Sequence, residues 1–376
     1  MKVISLRRST VFLLSALPAW LLAVTLAQAQ TAPGAPPPPQ GSQWENITLA
    51  FFADAAPAKP AASGPATAGM QGLFVNPQTG AVYINYSPWN RKIMLKELRL
   101  YISKDHGDTW SAVAENPITG RGESGFWCNA AQPFSGKMIL WTIDGKSALT
   151  ADGGATWKAI GKQGRGFDYG DLDWSADQPR TFFAFEHEPY YRVLSTDGGA
   201  TWKRLNEAAD KESFRQNKNW YPRLGVVNAT TLVATDGLVD GILYSPDIGA
   251  TWTKVSDFRP LGAHPIHYGK RLYWAASAGI IVSDNGKDWR LLGGGLPNAN
   301  WGPYFGASEQ EMLVINDKGV QYSRDGAKSW TRLAPPPPGL WLGDTRTGGI
   351  SFAWDPVNRI VYAAHAKSAC YRLRLP

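Results

Sequence analysis

The sequence predicts an all-β fold made of repeated four-stranded sheets, and three observations lead to that prediction. An eight-residue stretch of the form S-x-D-x-G-x-T-W recurs along the chain, most clearly at residues 195–202. The aspartates of its six copies are separated by 47, 45, 50, 37 and 41 residues. Short runs rich in β-branched and aromatic residues flank the copies, as expected for strands. A period of about 40–50 residues with several short strands per unit is typical of the blades of a β-propeller.

The six copies keep the pattern to different degrees. They lie at residues 103–110, 150–157, 195–202, 245–252, 282–289 and 323–330. The fifth is aligned through Asp284, Gly286 and Trp289, and the sixth has Ala327 at the glycine position. The recurring structural residues are Asp105, Trp110, Asp152, Trp157, Asp197, Trp202, Asp247, Trp252, Asp284, Trp289, Asp325 and Trp330.

Each copy predicts a tight turn between the third and fourth strands of a blade. An Asp side chain can accept hydrogen bonds from the backbone N–H groups of its own turn. Glycine allows a positive φ, and a Ser or Thr hydroxyl can tie the turn to its neighbours. The Trp begins the outgoing strand and buries a large ring between sheets. We therefore expect the repeat aspartates to stabilise the fold rather than to catalyse a reaction.

These stretches resemble Asp boxes, which are also called bacterial neuraminidase repeats. The resemblance covers about residues 43–376 and rests on six copies at blade spacing. Asp boxes occur in sialidases, sortilin-type receptors, some xyloglucan hydrolases and photosystem II assembly factors. These families share a scaffold and not a chemistry, so the resemblance implies the fold and leaves the ligand open.

The number of blades follows from the strands around the repeats. The end of the chain offers strands at 350–354, 359–363 and 370–375 but no further repeat. Residues 44–49 (WENITL) resemble the strands that follow the repeat elsewhere. Because an unpaired sheet edge favours aggregation, we expect residues 43–49 to supply the missing fourth strand. Six repeat-containing blades and one composite blade make seven; six and eight blades are the alternatives.

Residues 1–29 resemble a secretory signal peptide. A basic start is followed by an apolar run at 11–27 and an A-x-A cleavage site that ends at Ala29. The mature chain is therefore expected to be periplasmic or secreted and to lack a transmembrane segment, while the choice between Sec and twin-arginine export stays open. Residues 30–42 and 54–69 are rich in Ala, Pro and Gly and are expected to be linkers. One propeller domain is expected over residues 43–376.

Composition argues against several kinds of partner. The net charge is +7, and it falls to +4 when the three basic residues of 1–29 are removed. Lys and Arg form no stripe interleaved with aromatics, so nucleic acid is not expected as a partner. Cys128 and Cys370 are expected to be two buried free thiols on different blades. No cofactor is expected, and no metal, since His264-x-x-His267 lacks a third ligand by spacing. The chain is expected to be a monomer.

The loops of blade three hold the candidate catalytic residues. Asp171 and Asp173 alternate onto one side of the expected innermost strand, and paired carboxylates beside His and Tyr suit general acid–base catalysis. The candidates are Asp171, Asp173, Glu186, His187, Glu188 and Tyr190. The candidate ligand-binding residues are Arg215, Trp220, Arg223, Arg259, His264, His267, Trp301, Tyr304 and His365. The structural alternative for each is a solvated loop charge or an aromatic that packs blades together.

Two functions are consistent with these residues. The first is a binding or assembly module for a protein or another component of the periplasm or envelope. The second is a carbohydrate-active enzyme, a glycoside hydrolase or a polysaccharide lyase, because aromatics beside charged groups suit sugar binding. A sialidase is disfavoured, since the strand at 70–75 lacks the arginine that this family places on its first inner strand.

Overall fold

The computed structural model of this 376-residue chain describes residues 43–48, 70–86, 99–118, 135–142, 146–161, 166–187, 190–216, 222–235, 241–338, 350–365 and 369–375. These residues form seven antiparallel sheets arranged in a ring. The all-β, seven-bladed propeller predicted from the repeats is therefore confirmed.

The strands are numbered in chain order, and β1 (Glu45–Asn46) precedes blade one. Blade one contains β2 (Met70–Val75), β3 (Val82–Tyr86), β4 (Arg99–Ser103) and β5 (Ser111–Ala112). In blade two the described strands are β6 (Met138–Leu140), β7 (Ser147–Thr150) and β8 (Lys158–Ile160). Blade three contains β9 (Phe167–Leu172), β10 (Phe182–Glu186), β11 (Arg192–Ser195) and β12 (Lys203–Arg204). Helix α1 (Glu207–Gln216) lies in the connection to blade four.

The remaining blades repeat this order. Blade four contains β13 (Leu224–Val226), β14 (Leu232–Ala234), β15 (Ile242–Ser245) and β16 (Thr253–Ser256). Blade five contains β17 (Ile266–Tyr268), β18 (Arg271–Ala276), β19 (Gly279–Ser283) and β20 (Arg290–Leu292). Blade six contains β21 (Trp301–Phe305), β22 (Met312–Asn316), β23 (Gly319–Ser323) and β24 (Thr331–Ala334). Blade seven contains β25 (Ile350–Asp355), β26 (Ile360–His365) and β27 (Cys370–Arg374).

The first strands of the blades contact one another around the centre of the ring. Contacts join β9 to β13, β21 to β25, and β25 to β2. The last of these joins the final blade to the first, so the sheets close on themselves. The first strand of each sheet is an edge that lies at the centre of the ring, and the outer edge strand is short, so little edge is open to pairing with other chains.

The fourth strand of blade seven comes from the other end of the chain. Strand β1 pairs antiparallel with β27, with Glu45 opposite Arg372 and Asn46 opposite Tyr371. The backbone N–H of Ile47 continues the ladder by donating to the carbonyl of Cys370 at 2.9 Å. Blade seven thus joins strands that lie more than 300 residues apart in sequence. For example, the hydrogen-bonded residues Thr48 and Cys370 are separated by 322 residues.

Large aromatic side chains fill the space between neighbouring blades. Trp141 of blade two is fully buried, and its ring lies edge-on to those of Phe167 and Phe182, with centroids 5.5 and 6.5 Å away. Trp202, from the repeat of blade three, lies 6.3 Å from Trp141 and 4.4 Å from Phe167. The repeat Trp therefore packs one blade against the next, in agreement with its predicted role.

Side-chain hydrogen bonds hold the repeat turn at 195–202. The hydroxyl of Ser195 donates to Asp197 Oδ1 at 2.7 Å and accepts from the backbone N–H of Gly199 at 2.9 Å. Asp197 also accepts from the backbone N–H of Thr201 at 2.9 Å and from its hydroxyl at 2.5 Å. These bonds, led by that of the Thr201 hydroxyl, hold the pKa of Asp197 well below its usual range. The carboxylate oxygens of the repeat aspartate are thus occupied by hydrogen bonds within its own turn.

The glycine of the repeat lies against the preceding blade. Gly199 has a φ of 84°, and a Cβ added to it would lie 3.0 Å from the Cβ of Ile160 on β8. A side chain here would therefore meet both strain and crowding. In the sixth copy Ala327 occupies this position at a φ of 68°, and its N–H still donates to Ser323 Oγ at 2.9 Å.

The fifth copy differs from the predicted alignment. Asn285, not Asp284, takes the role of the repeat aspartate: its Oδ1 accepts from the hydroxyl of Ser283 at 3.2 Å and from the N–H of Asp288 at 2.9 Å. Asp284 instead accepts from Arg271 Nε at 3.0 Å and is exposed. The assignment of Asp284 as a turn-former is wrong, because this turn is one residue shorter between its Ser and its Trp than the others.

Cys370 is buried and carries a free thiol. Burial raises the pKa of this thiol to about 12, which makes it unreactive at neutral pH. Cys128 lies outside the described residues. In the described part of the chain, no helix is long and apolar enough to cross a membrane.

Candidate functional site

The ring has two faces, and the candidate residues divide between them. The backbone N–H of Gly198, in the repeat turn, donates to the carbonyl of Arg180, in the turn between β9 and β10, at 3.0 Å. We call the face that holds these turns the box face. The backbone N–H of His187, after β10, donates to the carbonyl of Gly166, before β9, at 3.1 Å. We call this opposite face, which holds the connections between blades, the loop face.

Asp171 joins two blades. It is fully buried and accepts from Trp174 Nε1 at 2.6 Å and from the backbone N–H of Val226, on β13, at 2.9 Å. Asp173 lies beyond the end of β9, where it accepts from the N–H of Ser175 at 3.1 Å and from its hydroxyl at 2.5 Å. The two carboxylates therefore do not project together from one strand, since β9 ends between them and Asp173 belongs to a turn on the box face.

Glu186 belongs to an ion-pair network on the loop face. Its carboxylate accepts from Arg204 Nε at 3.1 Å, and the same guanidinium lies 3.5 Å from Glu207 at the start of α1. The guanidinium of Arg204 also stacks over the ring of Tyr191, 4.0 Å from its centroid. Glu186 therefore orients an arginine that links blade three to the helix.

His187 and Asp168 form a close pair of titratable groups on the loop face. His187 Nδ1 lies 2.7 Å from Asp168 Oδ1, and the two side chains are 14% and 8% exposed. Asp168 lies at the start of β9 and His187 follows β10, so strand pairing brings them together. The carboxylate fixes the orientation of the imidazole. Asp168 was missed by the sequence analysis, because nothing in its local pattern marks it as a partner of His187.

Tyr190 lies beside this pair in an unusual backbone conformation. Its φ is 71°, in the left-handed region that a bulky residue rarely adopts. Its ring lies edge-on to that of His187, with centroids 6.1 Å apart, and 6.1 Å from that of Phe185. The surrounding structure therefore holds Tyr190 against a local preference, a feature that recurs at binding and catalytic sites.

A buried ion pair fixes helix α1 next to these residues. Asp210 is fully buried, and its Oδ1 accepts from Arg192 Nε at 2.8 Å while its Oδ2 accepts from the Arg192 backbone N–H at 2.9 Å. The side-chain amide oxygen of Asn206 caps the helix by accepting from the N–H of Ala209 at 3.3 Å. Removing one member of a buried pair leaves an uncompensated charge, so this contact holds the helix firmly. Sequence reasoning missed both members.

The candidates next to and within blades four and five differ in burial. His267 on β17 is buried, and its Nε2 lies 4.0 Å from Asp171 Oδ2, too far for a hydrogen bond. Burial lowers the pKa of His267 despite the attraction of Asp171. His264 is half-buried, with Nδ1 3.1 Å from the carbonyl of Pro265. Arg223 is buried and its backbone N–H donates to the Thr235 hydroxyl at 2.8 Å, whereas Arg259 is exposed.

The other candidates serve packing or lie outside the described residues. Trp301 packs on Phe352 with ring centroids 5.1 Å apart, and the hydroxyl of Tyr304 donates to the carbonyl of Phe352 at 3.1 Å. Burial raises the pKa of Tyr304. Arg215 is exposed on α1 and pairs with Glu212 at 2.7 Å. Glu188 and Trp220 lie outside the described residues, and His365 is placed as the last residue of β26. Within the described ranges, no three His, Cys, Asp or Glu side chains are grouped as metal ligands.

Comparison with known proteins identifies the repeat. A family model described as BNR/Asp-box repeat matches residues 101–112, which contain the whole of the first copy at 103–110. The chain is a β-propeller whose first blade carries an Asp-box repeat. No curated protein gives a significant match to its sequence.

Several solved structures are similar to this chain. A structure of YCF48 bound to D1 peptide is 14% identical at a TM-score of 0.47, covering 86% of this chain and 98% of that one. A hydrazine synthase of Kuenenia stuttgartiensis is 11% identical at a TM-score of 0.49, covering 85% of this chain and 99% of that one. The GH74 xyloglucanase of Xanthomonas campestris is 17% identical at a TM-score of 0.32, covering 78% of this chain and 53% of that one. At these identities the likeness concerns the fold alone.

In this Asp-box propeller, blade three offers one constellation suited to recognition. An imidazole oriented by a carboxylate can exchange a proton or hydrogen-bond a ligand, and the ring of Tyr190 can stack on an apolar or planar group. Both groups are half-buried on the loop face. The carboxylates nominated for catalysis from the sequence, Asp171, Asp173 and Glu186, are engaged in bonds that hold the fold.

Proposed function

We propose that this protein is a binding module that holds a protein segment of an envelope or periplasmic partner against the loop face of blade three. The observation that carries the proposal is Tyr190, a half-buried aromatic held at a φ of 71° beside the oriented His187. An aromatic ring with a fixed polar neighbour is the kind of anchor that dominates protein interfaces. Such strain is retained where the exposed geometry matters.

The rigid surroundings support a preformed site. Helix α1 is fixed by the Arg192–Asp210 pair. Glu186 orients Arg204, which also contacts Glu207 of this helix. A partner therefore meets side chains that the fold already holds in place, which favours binding. Asp171, Asp173 and Glu186 are engaged in the fold, and this favours recognition over paired-carboxylate chemistry.

A carbohydrate-active enzyme is the second candidate, and one observation favours it. The Asp168–His187 pair, at 2.7 Å, has the arrangement of a general base held by an orienting carboxylate. A nearby Tyr190 could assist proton transfer to a sugar substrate. In this case the same residues act on a glycan instead of holding a protein.

Purified protein applied to arrays of extended peptides and of glycans separates the two functions. We expect peptide binding that is lost in Tyr190→Ala and His187→Ala and kept in Lys318→Ala, a matched variant of an exposed residue between β22 and β23 on the same face. Glycan binding with product release from a polysaccharide, abolished by His187→Ala, would establish the enzyme instead. Peptide binding that is equal in all variants would contradict a site on blade three.

Export of the chain is part of this proposal, since the partner is placed in the envelope. The basic, apolar and A-x-A segments of residues 1–29 support it. N-terminal sequencing of protein from a periplasmic fraction should begin near Gln30. Soluble cytoplasmic protein that retains Met1 would contradict export without touching the peptide-binding test.

A further inference from the structure

A second group of charged residues lies on the box face, where blade six meets blade seven. We call it the seam cluster; it consists of Glu311, Tyr322, Arg324 and Arg359. Glu311 precedes β22, Tyr322 lies near the end of β23, Arg324 lies in the sixth repeat and Arg359 lies between β25 and β26. The cluster is separate from the loop-face site, because it is built from turns at the opposite ends of the strands.

Two guanidinium groups converge on one hydroxyl. Arg324 Nε donates to the Tyr322 hydroxyl oxygen at 3.2 Å, and Arg359 Nη2 donates to the same oxygen at 3.1 Å. The guanidinium carbons lie 5.4 and 5.8 Å from the centroid of the Tyr322 ring. Like charges held this close repel each other, so the arrangement favours the arrival of an anion.

The one carboxylate of the cluster is occupied. Glu311 accepts from the Tyr322 hydroxyl through Oε1, from Arg359 Nη1 at 2.7 Å, and from the backbone N–H of Ala307 through Oε2 at 2.9 Å. Hydrogen bonds from these groups outweigh its burial and hold the pKa of Glu311 below its usual range, so it is ionised at neutral pH. One negative charge therefore faces two positive charges, and it is directed at Arg359.

Arg324 keeps its binding edge exposed. Its Nε bond to Tyr322 fixes the side chain, while its Nη atoms have no hydrogen-bond partner among the described residues. The adjacent carboxylate of Asp325 is taken up by its own turn, where it accepts from Ser323 Oγ at 2.8 Å and from Ser329 Oγ at 2.6 Å. Arg359, at a φ of 56°, is likewise held in place by its backbone, since its carbonyl accepts from Leu375 N–H at 2.8 Å.

We propose that the seam cluster binds a tetrahedral oxyanion, the phosphate or sulfate group of a ligand on the box face. Arg324 offers the planar fork of N–H donors that matches two oxygens of such a group. Arg359 adds a second positive charge whose orientation Glu311 and Tyr322 fix in advance. The four side chains of the seam cluster together carry a net charge of one positive unit, which suits a singly or doubly charged anion. This inference concerns a different face from the proposed function and stands independently of it.

Titration calorimetry at constant ionic strength, with chloride as the balancing ion, tests the proposal on the full chain. The probes are inorganic phosphate, inorganic sulfate and glucose 6-phosphate, so that a free ion and an ester are compared directly. We expect saturable binding of at least one probe, weakened about tenfold or more by Arg324→Ala and less by Arg324→Lys, which keeps the charge without the fork. Lys328→Ala, which removes another exposed cation of the same turn, should bind as the unmodified chain does.

Circular dichroism and a thermal melt without anion confirm that Arg324→Ala is folded, as expected for an exposed side chain. Stronger binding of the ester than of the free ions would assign the site to a phosphorylated ligand, and the reverse would assign it to a free ion. Equal binding by the Arg324→Ala, Lys328→Ala and unmodified chains, or no saturable binding of any probe, would overturn the proposal.

Discussion

Arg372 and Glu45 form a bidentate ion pair between β27 and β1, the two strands whose pairing closes the ring. Arg372 Nε donates to Glu45 Oε2 at 2.6 Å, and its Nη2 donates to Oε1 at 2.8 Å. Its Nη1 also reaches the carboxylate of Asp108 in the first repeat at 2.6 Å. The bond from Arg372 holds the pKa of Glu45 below its usual range. One guanidinium therefore joins the first strand, the last strand and the first repeat.

Removing strand β1 should open the ring at this closure. A chain that lacks residues 30–53 should melt at a markedly lower temperature and associate, because β27 loses its only neighbour on that side and becomes an exposed edge. The control chain lacks only residues 30–42 and should melt like a chain that begins at Gln30. Calorimetry and size-exclusion chromatography measure both effects. Identical melting of the two deletions would show that closure does not depend on β1.

A point substitution tests the same closure of the ring with a smaller change. Ile47 is 4% exposed and lies against the first repeat, where a Cβ added to Gly107 would be 2.7 Å from its Cδ1. Ile47→Ala should lower the free energy of unfolding by about 2–4 kcal/mol, since it leaves a cavity between two blades. Denaturant unfolding measures the change, and a loss below that range would mean that the blades relax to fill the space.

The repeat of blade three should respond to substitution as a structural unit. Trp202→Ala should cost about 3 kcal/mol of unfolding free energy, because the ring fills the space beside Trp141 and Phe167. Asp197→Ala should lower the melting temperature, whereas Asp197→Asn should be tolerated better, since Asn285 performs the same role in the fifth repeat. Thermal melts of the three variants measure this order. Equal melting of Asp197→Ala and Asp197→Asn would contradict the role assigned to Oδ1.

The fifth repeat offers a direct test of which residue holds its turn. Asn285→Ala should lower the melting temperature, because it removes the acceptor of two backbone N–H groups, those of Lys287 and Asp288. Asp284→Ala should change it little, since it breaks only an exposed ion pair with Arg271. The opposite order would restore the alignment through Asp284.

Stability should fall as pH drops below neutrality, in part because of His267. Burial is the largest effect on the pKa of His267 in the folded chain, and it lowers this pKa below the usual 6.5. The charge of His264 lowers the pKa as well, whereas the negative charges of Asp171 and Asp173 offset part of the decrease. Between the lowered value and 6.5, the unfolded chain binds a proton that the folded chain does not, so stability rises with pH through this window. Melting temperatures of His267→Gln should depend less on pH between about 5 and 7 than those of the unmodified chain. An unchanged slope would show that other groups set the dependence.

Features that depend on residues close together in the chain could be predicted from the sequence. The bonds among Ser195, Asp197 and Thr201 span two to four residues, so the repeat pattern displays all the partners of the turn. Asp284 is the exception, because a one-residue shortening moves the hydrogen-bonding role to Asn285 while Gly286 and Trp289 keep the spacing of the repeat.

The candidate site depended on contacts that sequence patterns do not display. His187 and Tyr190 were identified from a polar loop, but their partner Asp168 is 19 residues from His187 in sequence. The Arg192–Asp210 pair spans 18 residues and joins a strand to a helix. Asp171 looked like an acid available for catalysis, yet its oxygens bond Trp174 and the N–H of Val226 on the next blade.

The amino-acid sequence specifies the repeated unit of this protein: six turns, each held by a few adjacent side chains, at intervals that allow four strands per blade. These features are local, since a turn's φ angles and hydrogen bonds are set by residues within one another's reach. Which polar side chains form hydrogen bonds between blades, and which meet on a surface, depends on how the blades pack in the folded ring. The pairing of Asp168 with His187 and the convergence of Arg324 and Arg359 on Tyr322 arise when the ring closes, because packing brings together residues whose separation along the chain carries no sign of their contact.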